Sequence, residues 1–165
     1  MNGSVMAWVQ SIVSAHGAAG ARVLEIGSYD VNGSVKPIFV TAGTATYVGV
    51  DVVAGPGVDV IAPAKSLPFD DASFDTIVST EMLEHDATFW LSLAEMKRVL
   101  RPAGHLLLTA RGNGFPYHGS GHFKDIYRFM PDSVPFIVQL AGCELVGFAQ
   151  DPEGPGLFIH GRRNR

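Results

Sequence analysis

Apolar and polar positions along the chain recur with periods that predict alternating helices and strands. Near the N-terminus, apolar residues recur at helical spacing, with Asn2 or Ser4 as a cap and an end near Gly17. Short apolar runs bounded by turn residues then predict a series of strands. The first strand covers residues 22–27 and the second ends at Asp51. The next three strands cover residues 58–62, 74–79 and 105–110.

Three further helices and a C-terminal hairpin complete the predicted order. One helix follows from Ser34 with Pro37 in its first turn, a longer one is capped by Asp86 and ended by Pro102, and the last covers residues 132–141. The buried stripe of the longer helix is Phe89, Leu93, Met96 and Leu100. The hairpin joins residues 144–150 to 157–161. This spacing predicts an α/β fold, a Rossmann-like three-layer sandwich with a seven-stranded, mostly parallel sheet and one antiparallel strand from the hairpin.

The loop between the first two strands indicates a nucleoside site. In such folds this loop lets the backbone approach a ligand, and an acid at the end of the second strand, here Asp51, accepts hydrogen bonds from ribose. A dinucleotide fingerprint that begins at Gly27 would need glycines where Tyr29 and Asn32 stand. Glu25 would also repel a pyrophosphate and attract a cation. The loop therefore favours a cationic nucleoside ligand over a nicotinamide cofactor.

The order of short motifs resembles that of class I S-adenosylmethionine-dependent methyltransferases of the small methyltransferase-domain type. The resemblance covers nearly the whole chain, and it implies their fold, their methyl-transfer activity and S-adenosylmethionine as cofactor. The motifs are Leu24–Gly27, Gly49–Asp51, Leu67–Phe69, Ser73–Asp75, Glu81–His85 and Arg98–Gly104.

Candidate cofactor contacts follow from the loop geometry and from this resemblance. Ser28 and Tyr29 offer backbone donors to the cofactor carboxylate. Glu25 either forms a structural salt bridge or reaches the cofactor's amino group, and Asp51 either caps its loop or binds ribose. Pro63 stands where relatives carry an Asp, which leaves adenine to backbone groups and to its neighbours Ser66 or Leu67. The full set is Glu25, Gly27, Ser28, Tyr29, Asn32, Asp51, Val52, Ser66, Leu67, Thr80 and Glu81.

A metal site is a separate hypothesis. Glu81, Glu84 and His85 resemble the metal-binding motif of certain O-methyltransferases that act on quinone precursors or on RNA ribose hydroxyls. A fourth ligand would come from His118 or His122. The alternative is that Glu84 bonds to backbone and His85 packs in the protein, and we expect no metal requirement.

Residues 111–130 form a long connection after the fifth strand, rich in glycine and aromatic residues. Histidine titrates near neutral pH, so His118 and His122 are candidate general bases, and Asp125 could orient one of them. The alternative is that Asp125 pairs with Arg128 to hold the loop while the histidines only cover it. These residues are expected to contact the methyl acceptor.

Composition narrows the class of protein. The length of 165 residues predicts one domain, 1–165. Although 47% of the residues are hydrophobic, no apolar run approaches the length of about 20 residues that a membrane-spanning helix needs, so we expect no membrane span. A net charge of −4 without a basic stripe argues against duplex nucleic acid as a partner. Cys143 is the single cysteine, and the N-terminal residues lack the pattern of a signal peptide, so we expect the cytoplasm.

The sequence therefore predicts an S-adenosylmethionine-dependent methyltransferase whose acceptor is a small molecule or sugar. A binding module that keeps the pocket without turnover is the alternative, and an NAD-dependent dehydrogenase is disfavoured by Tyr29 and Asn32. The sequence leaves a homo-oligomer open.

Overall fold

A computed structural model describes residues 3–165. Of the two caps expected for the first helix, Asn2 lies outside the described residues, and Ser4 lies within the helix, where its hydroxyl donates to Asp151 and not to the helix N-terminus. Within that range helices and strands alternate in the predicted order. Their bounds are α1 Gly3–His16, β1 Arg22–Ile26, α2 Lys36–Thr41, β2 Thr46–Asp51, β3 Val60–Ile61, β4 Phe74–Thr80, α3 Phe89–Val99, β5 Leu100–Arg111, α4 Val134–Leu140, β6 Cys143–Gln150 and β7 Gly156–Arg163. Short 3₁₀ turns precede α3 and α4, at Leu83–His85 and Pro131–Ser133.

The strands form one seven-stranded sheet in the order β3-β2-β1-β4-β5-β7-β6. β1, β2, β3, β4 and β5 pair in parallel, and β7 runs antiparallel to both of its neighbours, β5 and β6. The predicted sheet with one antiparallel strand from the C-terminal hairpin is confirmed.

Alternation along the strands sends apolar side chains to both faces of the sheet. Val23 belongs to the buried cluster on the α1 and α2 side of the sheet, whereas its neighbour Leu24 belongs to the cluster on the α3 and α4 side. Full burial of one such side chain stabilises the fold by about 1.5–3 kcal/mol. Both faces of the sheet are therefore covered, which gives the predicted three layers.

The main departure from the predicted elements lies at the end of α3. The helix ends at Val99, and Leu100 already has extended backbone and pairs with Phe74 of β4. Pro102 disfavours helical backbone at the residue before it, and pairing lets Leu100 stay fully buried. The chain thus enters β5 before it reaches the proline.

The loops that follow β1, β2 and β4 meet at the carboxyl edge of the sheet. The segment of residues 112–130, which we call the β5–α4 segment, crosses the same edge without helix or strand, as predicted. A bridge between Gly112 and Phe129 closes its two ends. Within residues 3–165, no helix is long and apolar enough to cross a membrane.

Candidate functional site

A cavity of about 700 Å³ opens at the carboxyl ends of β1, β2 and β4. This edge lies beside the point where strand order reverses, the usual ligand site of open α/β sheets. The predicted residues that line the cavity are Glu25, Gly27, Ser28, Tyr29, Asn32, Asp51, Val52, Thr80, Glu81, His118 and His122. The fold therefore brings most of the predicted site into one space.

The turn after β1 depends on glycine at position 27. Gly27 has φ +81°, and a Cβ there would lie 2.7 Å from the Met82 side chain. The Ser28 amide donates to the Val50 carbonyl and the Tyr29 amide to the Asp51 carboxylate, both at 3.1 Å. Both amides are thus engaged within the chain, which differs from the expectation that they serve a ligand carboxylate. The buried Ser28 hydroxyl has no hydrogen-bond partner in the described residues, so it can serve a ligand instead.

Asp51 holds the end of β2 against this turn. Its carboxylate accepts from the Tyr29 amide and, at 3.2 Å, from the Val53 amide, while the residue is only 7% exposed. The structure thus shows the loop-capping role. A carboxylate has about four lone-pair sites. Two hydrogen bonds from backbone amides therefore leave room for further donors, so Asp51 can cap its loop and bind ribose at the same time.

Glu25 is a buried acid at the floor of the cavity. The residue is 3% exposed, and the Tyr47 hydroxyl donates to its Oε2 at 2.8 Å. Burial raises the pKa of Glu25 to about 7, although the Tyr47 hydrogen bond opposes the shift. Within residues 3–165 its hydrogen-bond partner is a phenol, and the structure shows no salt bridge to it. A cationic ligand beside Glu25 would restore its charge.

Glu81 is engaged by its neighbours at the end of β4. The residue has φ +56°, and the Thr109 hydroxyl donates to its Oε1 at 2.7 Å. Its other carboxylate oxygen forms a close ion pair with the Arg111 guanidinium. Burial raises the pKa of Glu81, and the Arg111 charge opposes that shift. The Glu81 side chain is therefore committed to the wall of the cavity and is poorly placed as a metal ligand.

Glu84, His85 and His118, which we call the carboxylate–imidazole group, converge beside the cavity. One potential ligand atom from each lies within 4.8 Å of the other two. Glu84 is fully buried, and no side chain among residues 3–165 donates a hydrogen bond to its carboxylate. Burial, with the nearby Glu81 charge, raises the pKa of Glu84 to about 8. Backbone amides of Glu84 itself and of Arg111 oppose that shift, which agrees with the expected contact between Glu84 and backbone.

The two imidazoles of this group are oriented by hydrogen bonds on their other sides. His85 Nδ1 lies 2.8 Å from the Lys124 carbonyl oxygen, and His118 Nδ1 lies 3.2 Å from the Asp125 carboxylate. Metal-binding histidines are commonly fixed in this way. The arrangement could hold a divalent cation, or it could present an oriented imidazole base to the cavity.

Asp125 links His118 to Arg128 in the β5–α4 segment. The Arg128 guanidinium forms a two-pronged contact with the Asp125 carboxylate, one arm at 2.5 Å, and also donates to the carbonyls of Phe115 and Pro116. The Arg128 contact holds the pKa of Asp125 well below its usual range. The two alternatives from the sequence therefore coexist: Asp125 pairs with Arg128 and faces His118 at the same time.

Ser66 and Leu67 do not reach the cavity. The Leu67 side chain is in the core, and its amide donates to Glu95 at 2.9 Å, while the Ser66 amide donates to the Pro63 carbonyl. The turn at residues 63–66 directs Ala64 and Lys65 to the cavity instead. Asp125 also lies outside the lining and acts on the cavity only through His118.

Arg111 is a cavity residue that the sequence reasoning did not select. It stacks over the Phe115 ring, 4.0 Å from the ring centroid, and pairs with both Glu81 and Asp151. A charged residue directly after the apolar run of β5 is the signal that could have identified it. Met82 and the 86–88 turn also line the cavity without having been predicted.

Comparison with known proteins gives consistent matches. The family described as a methyltransferase domain matches residues 24–108, just over half of the chain. A phthiotriol/phenolphthiotriol dimycocerosates methyltransferase of Mycobacterium ulcerans is 38% identical over 103 residues, which cover 55% of this chain and 38% of that protein. A demethylmenaquinone methyltransferase of Deinococcus radiodurans is 40% identical over 96 residues, 58% of this chain and 38% of that protein. The matches thus span about two fifths of the length of these relatives.

Among solved structures, one similar fold is the 1,6-didemethyltoxoflavin-N1-methyltransferase of Burkholderia thailandensis, with bound 1,6-didemethyltoxoflavin and S-adenosylhomocysteine. Its TM-score is 0.79 at 20% sequence identity, and the alignment covers 98% of this chain and 79% of that chain. This likeness confirms the fold.

Proposed function

Because the chain belongs to the methyltransferase domain family, we propose that it transfers a methyl group from S-adenosylmethionine to a small-molecule acceptor. The observation that carries the proposal is the cavity at the carboxyl edge of the sheet, with buried Glu25 and Asp51 on its walls. The family match argues against an NAD-dependent dehydrogenase.

The residues of the cavity fit this cofactor. Asp51 provides an acceptor for ribose hydroxyls at the end of β2, and Glu25 provides a buried acid for the cofactor's ammonium. Gly27, Ser28, Tyr29, Asn32 and Val52 would surround the nucleoside and methionine parts, with Thr80 and Glu81 at the end of β4. When bound, S-adenosylmethionine supplies a methyl group on a positively charged sulfur that leaves readily.

The β5–α4 segment supplies what the reaction needs from the protein. His118 removes the proton from the acceptor atom, and Asp125 orients the imidazole while Arg128 keeps Asp125 ionised. His122 lines the same space as a second candidate base. The rings of Tyr29 and Phe123 both line the cavity, with centroids 6.0 Å apart and planes inclined at 52°, and they would exclude water from it.

We infer that the acceptor is apolar. Val31 lines the cavity although it is 68% exposed, and the Phe123 ring lies in the same wall, so the cavity has an apolar rim. The relatives named above are called methyltransferases of a dimycocerosate lipid and of a quinone. A net charge of −4 remains unfavourable for nucleic acid. A lipid or quinone precursor is therefore favoured over a sugar.

Metal-assisted transfer is a second candidate mechanism, and the carboxylate–imidazole group is the observation that favours it. A cation held there would polarise an acceptor oxygen, so that His118 would act as a ligand and not as a base. The two mechanisms predict different responses to a chelator: no change in activity if His118 is a base, and a loss of activity if it is a metal ligand.

We further propose that residues 1–165 form one domain that acts in the cytoplasm. Cys143 is buried, and burial raises the pKa of its thiol to about 11, so the thiol is unreactive. Light scattering will decide whether the protein is a monomer or a homo-oligomer.

The test of the function is a screen of acceptors that detects S-adenosylhomocysteine as product. S-adenosylhomocysteine at about 100 times its dissociation constant should add about 2.7 kcal/mol to stability and raise the Tm, and NAD should not. Asp51→Ala should reduce this shift, while exposed Asp70→Ala serves as a charge-matched control. Binding without turnover on any acceptor would favour the non-catalytic module, and no binding would refute both.

A further inference from the structure

Glu81 is a residue with a side chain that the fold holds in a left-handed backbone conformation, at φ +56°. It follows Thr80, the last residue of β4, and precedes the 3₁₀ turn Leu83–His85. This conformation is costly for a residue with a Cβ, and it persists only where the surrounding structure holds it. The contacts of Glu81 must therefore supply what the backbone conformation costs.

Two residues of β5 hold Glu81. Its amide donates to the carbonyl and to the hydroxyl of Thr109, both at 3.1 Å, and the same hydroxyl donates to Glu81 Oε1 at 2.7 Å. The Arg111 guanidinium forms a close ion pair with the other carboxylate oxygen. Thr109 is fully buried and the Arg111 side chain is 12% exposed, so water competes little for these contacts.

Arg111 is itself fixed from two further directions. Its Nη1 lies 3.6 Å from the carboxylate of Asp151, a side chain that is fully buried and accepts from the Ser4 hydroxyl of α1 at 2.5 Å. Its guanidinium stacks on the Phe115 ring, 4.0 Å from the ring centroid. The cation that pairs with Glu81 is therefore held by α1, by the connection between β6 and β7 and by the β5–α4 segment.

The turn that follows Glu81 contacts both halves of the cavity. Met82 lies against the turn after β1, since a Cβ on Gly27 would lie 2.7 Å from the Met82 side chain. The Glu84 carbonyl accepts from the amides of residues 126–127 in the β5–α4 segment, at 2.9 Å and 3.1 Å. A change of backbone conformation at Glu81 would therefore disturb the cofactor turn and the segment that carries the candidate base.

From these contacts we propose that Arg111 is a positioning residue: its ion pair with Glu81 holds the left-handed backbone that places residues 82–85 against the cavity. Arg111 acts through Glu81 and not on the substrate. Its guanidinium already contacts two carboxylates and an aromatic ring, which favours this role over direct binding of a ligand. The inference rests on the proposed methyl transfer, because the turn it concerns borders the proposed cofactor site.

The test compares glycine with alanine at position 81 in a protein that lacks the Arg111 cation. Arg111→Gln should weaken S-adenosylmethionine binding by about tenfold in titration calorimetry and lower kcat as well. Glycine adopts positive φ readily and alanine does not. Adding Glu81→Gly to Arg111→Gln should therefore restore affinity to within about threefold of the wild type, whereas adding Glu81→Ala should not.

Arg101→Gln is the matched control. Arg101 also forms an ion pair, with Asp75 at 2.5 Å, but it lies at the opposite end of β5 from the cavity. This variant should bind S-adenosylmethionine as the wild type does. Circular dichroism verifies that each variant is folded.

Equal affinities of the two double variants would overturn the proposal, and so would wild-type affinity in Arg111→Gln. Urea unfolding without cofactor makes the same comparison: the double variant with glycine should be the more stable of the two, and the reverse order would overturn the proposal. A wild type that binds no S-adenosylmethionine would instead refute the proposed function. If Arg111→Gln fails to fold, Thr109→Val replaces it in both double variants, because it removes the hydroxyl that joins the Glu81 amide to its carboxylate.

Discussion

The buried acid at the cavity floor should make cofactor affinity depend on pH. Glu25 has a pKa of about 7 because burial disfavours its charged form. A bound ammonium favours the charged form, so binding should return the pKa of Glu25 towards its ordinary value of 4.5. Protons are then released on binding, and affinity should rise with pH up to the pKa of the free protein.

The size of the effect follows from the two pKa values. If the pKa moves from about 7 to about 4.5, affinity should fall about 15-fold between pH 7 and pH 5.5, or about 1.6 kcal/mol. This range keeps the amino group of the cofactor protonated, because α-amino groups titrate near pH 7.7–8.0. Titration calorimetry with S-adenosylmethionine at half-unit pH steps measures it.

Two variants isolate Glu25 from the histidines that face the same cavity. Glu25→Gln should bind more weakly at pH 7 and lose most of the pH dependence. Tyr47→Phe removes the hydroxyl that stabilises the ionised carboxylate, so the midpoint should move to higher pH. An unchanged pH slope in Glu25→Gln would show that other groups cause it and that Glu25 does not face the cofactor's amino group.

Three other changes test the site. Gly27→Ala places a Cβ 2.7 Å from the Met82 side chain at a residue with φ +81°. The variant should lose about 1–3 kcal/mol of stability in urea unfolding and should lose the S-adenosylhomocysteine-dependent Tm shift. Normal binding of S-adenosylhomocysteine would show that the turn is not required. His118→Ala should lower kcat by about 10²–10⁴-fold without changing the affinity for S-adenosylmethionine, and His122→Ala should lower kcat less. Wild-type rates in both variants would show that the two histidines only stabilise the loop. A chelator should leave activity unchanged if His118 acts as a base, and a loss that Mn²⁺ or Zn²⁺ restores would establish the metal-assisted mechanism instead.

The sequence by itself determined the order of elements and which loops meet at the carboxyl edge of the sheet. The spacing of hydrophobic residues specifies helices and strands from neighbouring positions alone. Asp51 is the last residue of β2, so its place at the end of that strand also follows from local sequence. Because the carboxyl ends of parallel strands meet at one edge of the sheet, the sequence predicted that Gly27 and Asp51 lie close together. These predictions needed only short-range information.

Tertiary structure alone decided the contacts between distant segments. Pairing with Phe74 drew Leu100 out of α3, and the turn after Pro63 turned Ser66 and Leu67 away from the cavity. The path of the β5–α4 segment, which has no periodic pattern, placed His118 beside Glu84 and His85. The ring contacts among His16, His105 and His160 join α1, β5 and β7, whose residues lie far apart in sequence, so no local pattern predicts them. Side-chain proximity of this kind depends on packing, which hydrophobic period does not encode.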